Sequence, residues 1–198
     1  MTKTAKTLTN EECQKLLDVL LNPLEHPKPH IAHIRNYLMA LLMLDAGLRV
    51  GELIQLYVSD LFFGDHPCYN LVIRSEIAKR HRERLIPLSQ RIIDTISHLH
   101  NMDPRWSSAH HLEYAFYSDK PLTHISSRRV QQIIRDHSIV AIGRPVHPHM
   151  LRHTFATRLM AKTNIRVVQE LLGHSSLQST QIYTHPNQTD LTNAIKNL

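Results

Sequence analysis

Six side chains in this sequence have the chemical types needed to cut a phosphodiester, and they lie far apart along the chain: Arg49, Lys79, His149, Arg152, His174 and Tyr183. Negative charge grows on the phosphate oxygens during such a reaction, and the forked donors of guanidinium groups suit those oxygens. A tyrosine hydroxyl, with an ordinary pKa of about 10, attacks phosphorus only with help from charge or a base. The leaving oxygen needs a proton, which a lysine can donate.

Taken singly, each of these residues has a simpler interpretation. Arg49 could cap carbonyl groups or pair with a carboxylate, Lys79 could be a solvated charge, and Tyr183 could be a packing residue. His149 and His153 have helical spacing and could bind a metal. However, no HExxH pattern, cysteine pair, glycine-rich phosphate loop or carboxylate cluster accompanies them. We therefore predict no metal and no cofactor.

Helical periodicity dominates the segments that must bring these residues together. The pattern predicts helices in "TLTNEECQKLLDVLL", which has a Thr9–Glu12 capping box, in "IRNYLMALLMLDAG", which stops at Gly47, and in the short "RVGELIQL". Further helices are predicted in "RIIDTISHLH", "SSRRVQQIIRDHSIV", "HPHMLRHTFATRLMA", "IRVVQELLG", "LQSTQIYT" and "TDLTNAIKNL". Pro148 suits the first turn of its helix.

Between these helices, "YNLVIRSE" and "RERLIPL" predict an antiparallel hairpin around the basic "AKRHR", with a third strand near Leu61 to Phe63. The predicted fold is mainly α with a small antiparallel β-sheet (α+β). We expect one domain over residues 1–198, because the chain has no repeat or clear linker.

Composition favours a folded protein with a polyanionic partner. Hydrophobic residues make up 42% of the chain, which is too many for a disordered protein, and the net charge of +6 favours nucleic acid. Cys13 and Cys68 are predicted to be reduced thiols. The start of the chain has no apolar signal core, and the longest apolar run, Leu38 to Leu44, is too short to cross a membrane. We expect a soluble cytoplasmic protein.

Four sequence motifs, in order along most of the chain, resemble those of the tyrosine recombinase (phage integrase) family. "DAGLRVGEL" resembles its first arginine motif, and "AKRHRERLIPL" resembles the hairpin that carries its lysine. "HPHMLRHTFAT" resembles its His-x-x-Arg motif, and "LLGHSSLQSTQIYTH" resembles its closing motif, in which a histidine precedes the tyrosine. The resemblance implies the catalytic-domain fold and the activity of a site-specific DNA recombinase.

The resemblance also implies a role for each matched residue. Tyr183 attacks the phosphate and forms a 3′-phosphotyrosyl bond, and Lys79 protonates the leaving 5′ oxygen. Glu52 orients Arg49, and His149 helps to accept the tyrosine proton. The scissile phosphate is surrounded by Arg49, His149, Arg152 and His174. The product conserves the energy of the phosphodiester, so integration, excision or inversion of DNA would need neither metal nor ATP.

Two departures from the family pattern affect this interpretation. Relatives commonly have Gly-Lys-Gly where this chain has Ala78, Lys79 and Arg80. Family members usually carry an N-terminal DNA-clamping domain, and we expect that domain to be absent because the first predicted helix begins near residue 9. The chain is then either a fragment or a compact recombinase, and its length resembles that of the small recombinases that invert fimbrial promoters.

Double-stranded DNA is the predicted partner. Besides Lys79, the predicted phosphate contacts are Arg80, Arg82, Arg84, Arg128, Arg129 and Arg135, each of which could instead be a solvated charge. The final helix, residues 190–198, has an apolar stripe. It could pack on its own domain, but we expect it to dock into a neighbouring subunit and form a tetramer on two duplexes.

Two rival functions use the same sequence features. A type IB topoisomerase-like enzyme would use similar chemistry but reseal the same strand. A DNA-binding regulator would keep the fold without strand exchange. All six candidate positions hold the expected residue types, which argues against loss of activity.

Overall fold

A computed structural model describes residues 7–22, 30–78, 81–107, 113–118, 120 and 122–173. Its helices are α1 (Asn10–Leu21), α2 (Ile31–Leu44), α3 (Val50–Leu53), α4 (Val58–Leu61), α5 (Gln90–Met102), α6 (Pro104–Ser107), α7 (Ser127–Ile142), α8 (Pro148–Met160) and α9 (Ile165–Leu172). Its strands are β1 (Phe62–Phe63), β2 (His66–Pro67), β3 (Asn70–Ile73) and β4 (Arg84–Pro87). The predicted fold class is confirmed. The predicted helices in "LQSTQIYT" and "TDLTNAIKNL" lie outside the described residues.

The first helix begins where the local sequence predicts. The Thr9 hydroxyl accepts a hydrogen bond from the Glu12 N–H, and the Glu12 carboxylate accepts one from the Thr9 N–H. Because both bonds satisfy N–H groups that have no partner within the helix, they define its N-terminus. Arg144 then binds the same carboxylate, with 2.9 Å between Nη2 and Oε1, and so connects the end of α7 to the start of α1.

Helix α2 forms the centre of the core. Its residues from Leu38 to Leu44 are buried on every side, and the helix packs against α1, α5 and α8. Such an all-round apolar helix is stable only when other elements surround it. Among the described residues, no helix has the length and apolar character needed to span a lipid bilayer.

The strands form two separate antiparallel pairs. Strand β3 pairs with β4, as predicted, and Leu71 and Ile86 face the core while Val72 and Leu85 face outward. A strand is present at Phe62–Phe63, but it pairs with β2 across a tight turn rather than joining the β3–β4 pair. The predicted strand near Leu61 to Phe63 is therefore present, and a local turn at Gly64, with φ of +60°, pairs it with its immediate neighbour β2.

The end of α2 comes unusually close to α8. Gly47 has a φ of +66°, and a Cβ atom placed on it would lie 2.4 Å from Cδ1 of Phe155. The Gly47 carbonyl accepts a hydrogen bond from Arg152, also on α8. A glycine is therefore needed here both for the backbone conformation and for the close contact between the two helices.

We expect Gly47→Ala to lower the free energy of unfolding by about 2–4 kcal/mol, because a left-handed alanine and an overpacked Phe155 contact both cost energy. Urea denaturation followed by circular dichroism measures this loss. Gly143→Ala is the matched control, since Gly143 has a φ of +71° but open space around its Cα. It should lose only about 1 kcal/mol. Equal losses in the two variants would show that the Phe155 contact is not a significant constraint.

Candidate active site

A cavity of about 430 Å³ lies where the starts of α3 and α8 meet the hairpin. Its lining includes Arg49, Glu52, Gln55, Ile77, His149 and Arg152. Arg49 caps the N-terminus of α3, and His149 and Arg152 lie in the first turns of α8. Ile77 lies in the connection between β3 and β4. The positive end of the α8 dipole therefore adds to the charge of the arginines in this cavity.

The carboxylate of Glu52 is the centre of the charged cluster, and its side chain is 2% exposed. Arg49 Nη1 lies 2.8 Å from Oε1, and the Arg49 backbone N–H donates to Oε2. Arg84, on β4, donates from Nη1 and Nη2 to the two carboxylate oxygens at 2.9 and 2.7 Å. Arg152 Nη1 lies 4.0 Å from Oε2. Three arginines from distant parts of the chain thus surround one buried carboxylate.

These contacts determine the charge state of Glu52. Burial by itself raises the pKa of the Glu52 carboxyl, but the hydrogen bond and charge of Arg84 oppose it. Together with the backbone N–H and the charge of Arg49, they leave the pKa below its ordinary value. The carboxylate is therefore ionised at neutral pH and balances one of the three guanidinium charges.

We expect Glu52→Gln to lower the free energy of unfolding by about 3 kcal/mol or more at neutral pH, because it leaves Arg84 buried without its counter-ion. The folded pKa of Glu52 is depressed, so its contribution is complete above the unfolded-state pKa of about 4.3 and is lost as pH falls through the folded value. Urea denaturation at several pH values should show the wild-type and variant stabilities converging in acid. A constant difference down to about pH 3 would contradict this account.

Arg152 forms the buried base of the cavity, with its side chain 4% exposed. One terminal nitrogen donates to the Gly47 carbonyl, and Nη2 donates to the Leu172 carbonyl at 2.7 Å. The same guanidinium therefore connects the end of α2, the start of α8 and the end of α9. Cations are favourable at such helix C-termini because the last carbonyl groups have no partner within the helix.

His149 is exposed at the mouth of the cavity. Its ring stacks edge-on against His153, one turn further along α8, with 4.2 Å between ring centroids. Within the described ranges, no three histidine, cysteine or acidic side chains are grouped so that they could hold a metal ion. His149 therefore lines the cavity while its ring also contacts His153.

The structure brings together four of the residues singled out from the sequence: Arg49, Glu52, His149 and Arg152. Lys79 and Arg80 lie outside the described residues, as do His174, Tyr183 and the final segment 190–198. The described residues include Ala78, directly before Lys79 in the sequence, and Gly173, which ends α9 directly before His174.

Arg84 requires a correction. It was predicted to contact DNA phosphates, but its side chain is 1% exposed and its guanidinium binds Glu52 and the Leu171 carbonyl. It therefore belongs to the interior of the site. Arg82, Arg128, Arg129 and Arg135 are exposed, and Arg82 also pairs with Glu170 at 2.8 Å. Their DNA contacts stay predictions.

Several groups in the site were missed. The carbonyls of Gly47, Leu171 and Leu172 accept hydrogen bonds from Arg152 or Arg84, and a main-chain acceptor has no signature in the sequence. The burial of Arg84 did have a signature in the sequence, because alternation along a strand places Arg84 on the same face as the buried Ile86.

Comparison with known proteins gives consistent matches over most of the chain. A sequence model described as the phage integrase family matches residues 6–190. A tyrosine recombinase of Pseudothermotoga lettingae is 34% identical over 193 residues, which make up 96% of this chain and 60% of that protein. Tyrosine recombinase XerA of Pyrococcus furiosus is 34% identical over 192 residues, 96% of this chain and 61% of that protein.

Similarity extends to a solved structure. The crystal structure of XerH site-specific recombinase, bound to its difH substrate in a pre-cleavage complex, has a TM-score of 0.72 and 25% identity. The match covers 98% of this chain and 54% of that one. This chain therefore spans less than two thirds of the length of each of these proteins.

Proposed function

The chain belongs to the phage integrase family, as its motifs predict, and from this premise we propose that it carries the catalytic machinery of a site-specific tyrosine recombinase. The substrate is double-stranded DNA. One observation supports this function above all others: Arg49 and Arg152, distant in sequence, converge with His149 on one open cavity. A cavity with two guanidiniums at its wall and base suits a single anionic phosphate.

The proposed reaction transfers one phosphodiester bond to the enzyme. The Tyr183 oxygen attacks phosphorus, a new phosphorus–oxygen bond forms, and the bond to the 5′ oxygen breaks. His149 accepts the phenolic proton, and Lys79 gives a proton to the departing 5′ oxygen. Arg49, Arg152 and His174 donate hydrogen bonds to the non-bridging oxygens, whose charge increases in the transition state. Attack by another strand's 5′ hydroxyl reverses these steps and releases the tyrosine.

Surface charge supports the DNA partner. Arg128 and Arg129, in the first turn of α7, are exposed, and so is Arg135. Contacts of this kind bind phosphates without reading the base sequence. We further propose that four subunits assemble on two duplexes through residues 190–198, a segment outside the described residues.

Covalent trapping on DNA tests the proposal. The protein is incubated with nicked suicide duplexes that tile the DNA flanking its own gene, in EDTA and without ATP. A denaturing gel then detects protein joined to DNA, and mass spectrometry of the digested adduct locates the modified residue. We expect a phosphotyrosyl peptide that contains Tyr183.

Three other outcomes would overturn all or part of the proposal. Binding without an adduct would indicate a DNA-binding regulator. An adduct accompanied by relaxation of plasmids without site preference, and without exchange between two sites, would indicate a topoisomerase-like enzyme. Cleavage that stops in EDTA would overturn the metal-free mechanism. An adduct with exchange between two duplexes supports the recombinase.

A further inference from the structure

We propose that Arg84 is a positioning residue for DNA cleavage, which neutralises Glu52 and fixes the end of α9 so that Arg49 and Arg152 remain available to the phosphate. This inference rests on the proposed function. Arg84 would not touch DNA, because its side chain is 1% exposed. It would affect cleavage only through its contacts with Glu52 and with the end of α9.

The first part of the argument is the charge balance of the site. Glu52 lies within 4.0 Å of all three guanidiniums. With Arg84 present, three positive charges and one negative charge leave two positive charges to face a phosphate. Without Arg84, only Arg49, which already lies 2.8 Å from Oε1, and Arg152 would remain to balance the buried carboxylate. The Glu52 carboxylate would then compete with the phosphate for the guanidinium donors that stabilise the charge of the phosphate.

The geometry of the pair favours this assignment. Arg84 is the only described arginine that meets both Glu52 oxygens through two terminal nitrogens, at 2.9 and 2.7 Å. Such a bidentate arrangement satisfies the carboxylate in a fixed orientation. Oε1 is then shared with Arg49 Nη1. The position of Arg49 at the cavity wall thus depends on a carboxylate that Arg84 holds from behind.

The second part of the argument is the end of α9. Arg84 Nε donates to the Leu171 carbonyl at 3.0 Å, next to the Leu172 carbonyl that Arg152 binds. Gly173, which ends the helix with a φ of +61°, packs against the Arg84 side chain, and a Cβ there would lie 3.1 Å from Arg84 Cδ. The residue that follows Gly173 is His174. Arg84 therefore contacts the first residues of the closing motif, Leu171 and Gly173.

A double-mutant cycle tests the inference, with single-turnover cleavage of a suicide duplex at saturating DNA as the measurement. Arg84→Met should lower the cleavage rate by about 30-fold or more, with the Kd for DNA within about threefold. Arg84→Met combined with Glu52→Gln should cleave about tenfold faster than Arg84→Met alone, because glutamine keeps an oxygen that can accept from Arg49 but removes the charge that competes with the phosphate. The cleavage rate of Arg84→Lys should lie between those of Arg84→Met and the wild type, since lysine restores the positive charge but not the bidentate pair of donors.

A matched control separates this role from simple fastening of the hairpin to α9. Glu170→Gln breaks the exposed Arg82–Glu170 pair at the same junction, and its cleavage rate should stay within about twofold of wild type. Circular dichroism and urea denaturation confirm that each variant is folded under the assay conditions.

The outcomes are distinct. A double variant that is as slow as Arg84→Met, or slower, would reduce Arg84 to a structural role and overturn the inference. An Arg84→Met variant that cleaves at the wild-type rate would overturn it too, while leaving the proposed function intact. A wild-type protein that forms no adduct on any duplex would overturn the proposed function and the role of Arg84 together.

Discussion

A Tyr183→Phe variant is expected to form no covalent adduct with DNA, while its affinity for the same duplex stays within about threefold of the wild type. Phenylalanine keeps the ring but lacks the oxygen that would join phosphorus, so no covalent intermediate can form. Affinity should persist because exposed cationic side chains supply most of the binding to a phosphate backbone. The suicide-duplex gel measures the adduct, and fluorescence anisotropy at fixed salt measures the affinity.

Tyr69→Phe is the control for this experiment. Tyr69 is exposed and immediately precedes β3, at the end of the hairpin away from the connection between β3 and β4. Its variant should form adduct at the wild-type rate. An adduct that persists in Tyr183→Phe would assign the nucleophile to another residue and remove the basis of the proposed mechanism.

We expect Arg152→Lys to lower the single-turnover cleavage rate by about 100- to 1,000-fold, while the protein still binds DNA. The Arg152 guanidinium spans the carbonyls of Gly47 and Leu172 and lies beside Glu52. A lysine carries one nitrogen, which cannot reach both carbonyls and also present a fork to a phosphate. Because lysine keeps the positive charge, the loss of cleavage rate reports the contribution of the forked donor geometry of Arg152.

The matched control for Arg152→Lys is Arg158→Lys on the same helix. Arg158 is 41% exposed and lies 3.9 Å from Asp45, outside the cavity. Its cleavage rate should stay within about twofold of wild type. If Arg152→Lys cleaved as fast as this control, positive charge alone would be sufficient, and the specific contacts of Arg152 would be irrelevant to the reaction.

Local signals account for the parts of the fold that were predicted correctly. The Thr9–Glu12 box begins α1, Gly47 follows the end of α2, and Pro148 occupies the first turn of α8. Each of these signals acts within a few residues. The four-residue helices α4 and α6 were missed because they are too short to show a period. Helix α6 is held by a tertiary contact, in which Trp106 Nε1 donates to the Ala115 carbonyl at 3.1 Å.

The site was predictable only as far as its side chains match a family pattern. Arg49, His149 and Arg152 were identified in this way, and the structure places them on one cavity. Arg84 was assigned to the surface because the turn beside it is strongly basic. Its true partner, Glu52, lies 32 residues earlier, and no local pattern connects the two. Pairing between distant residues depends on the whole packing arrangement, which a single sequence does not display.

The arginine contacts at the base of the cavity also have a consequence for folding during synthesis. The Arg152 bond to Gly47 joins residues 105 apart in sequence, and the Arg84 bond to Leu171 joins residues 87 apart. Contacts that close such long loops form late in folding, after more local structure is in place. A nascent chain on the ribosome therefore cannot assemble the pocket before α9 has emerged. Under the proposed function, a polypeptide that ends before α9 would lack these arginine contacts and should not cleave DNA.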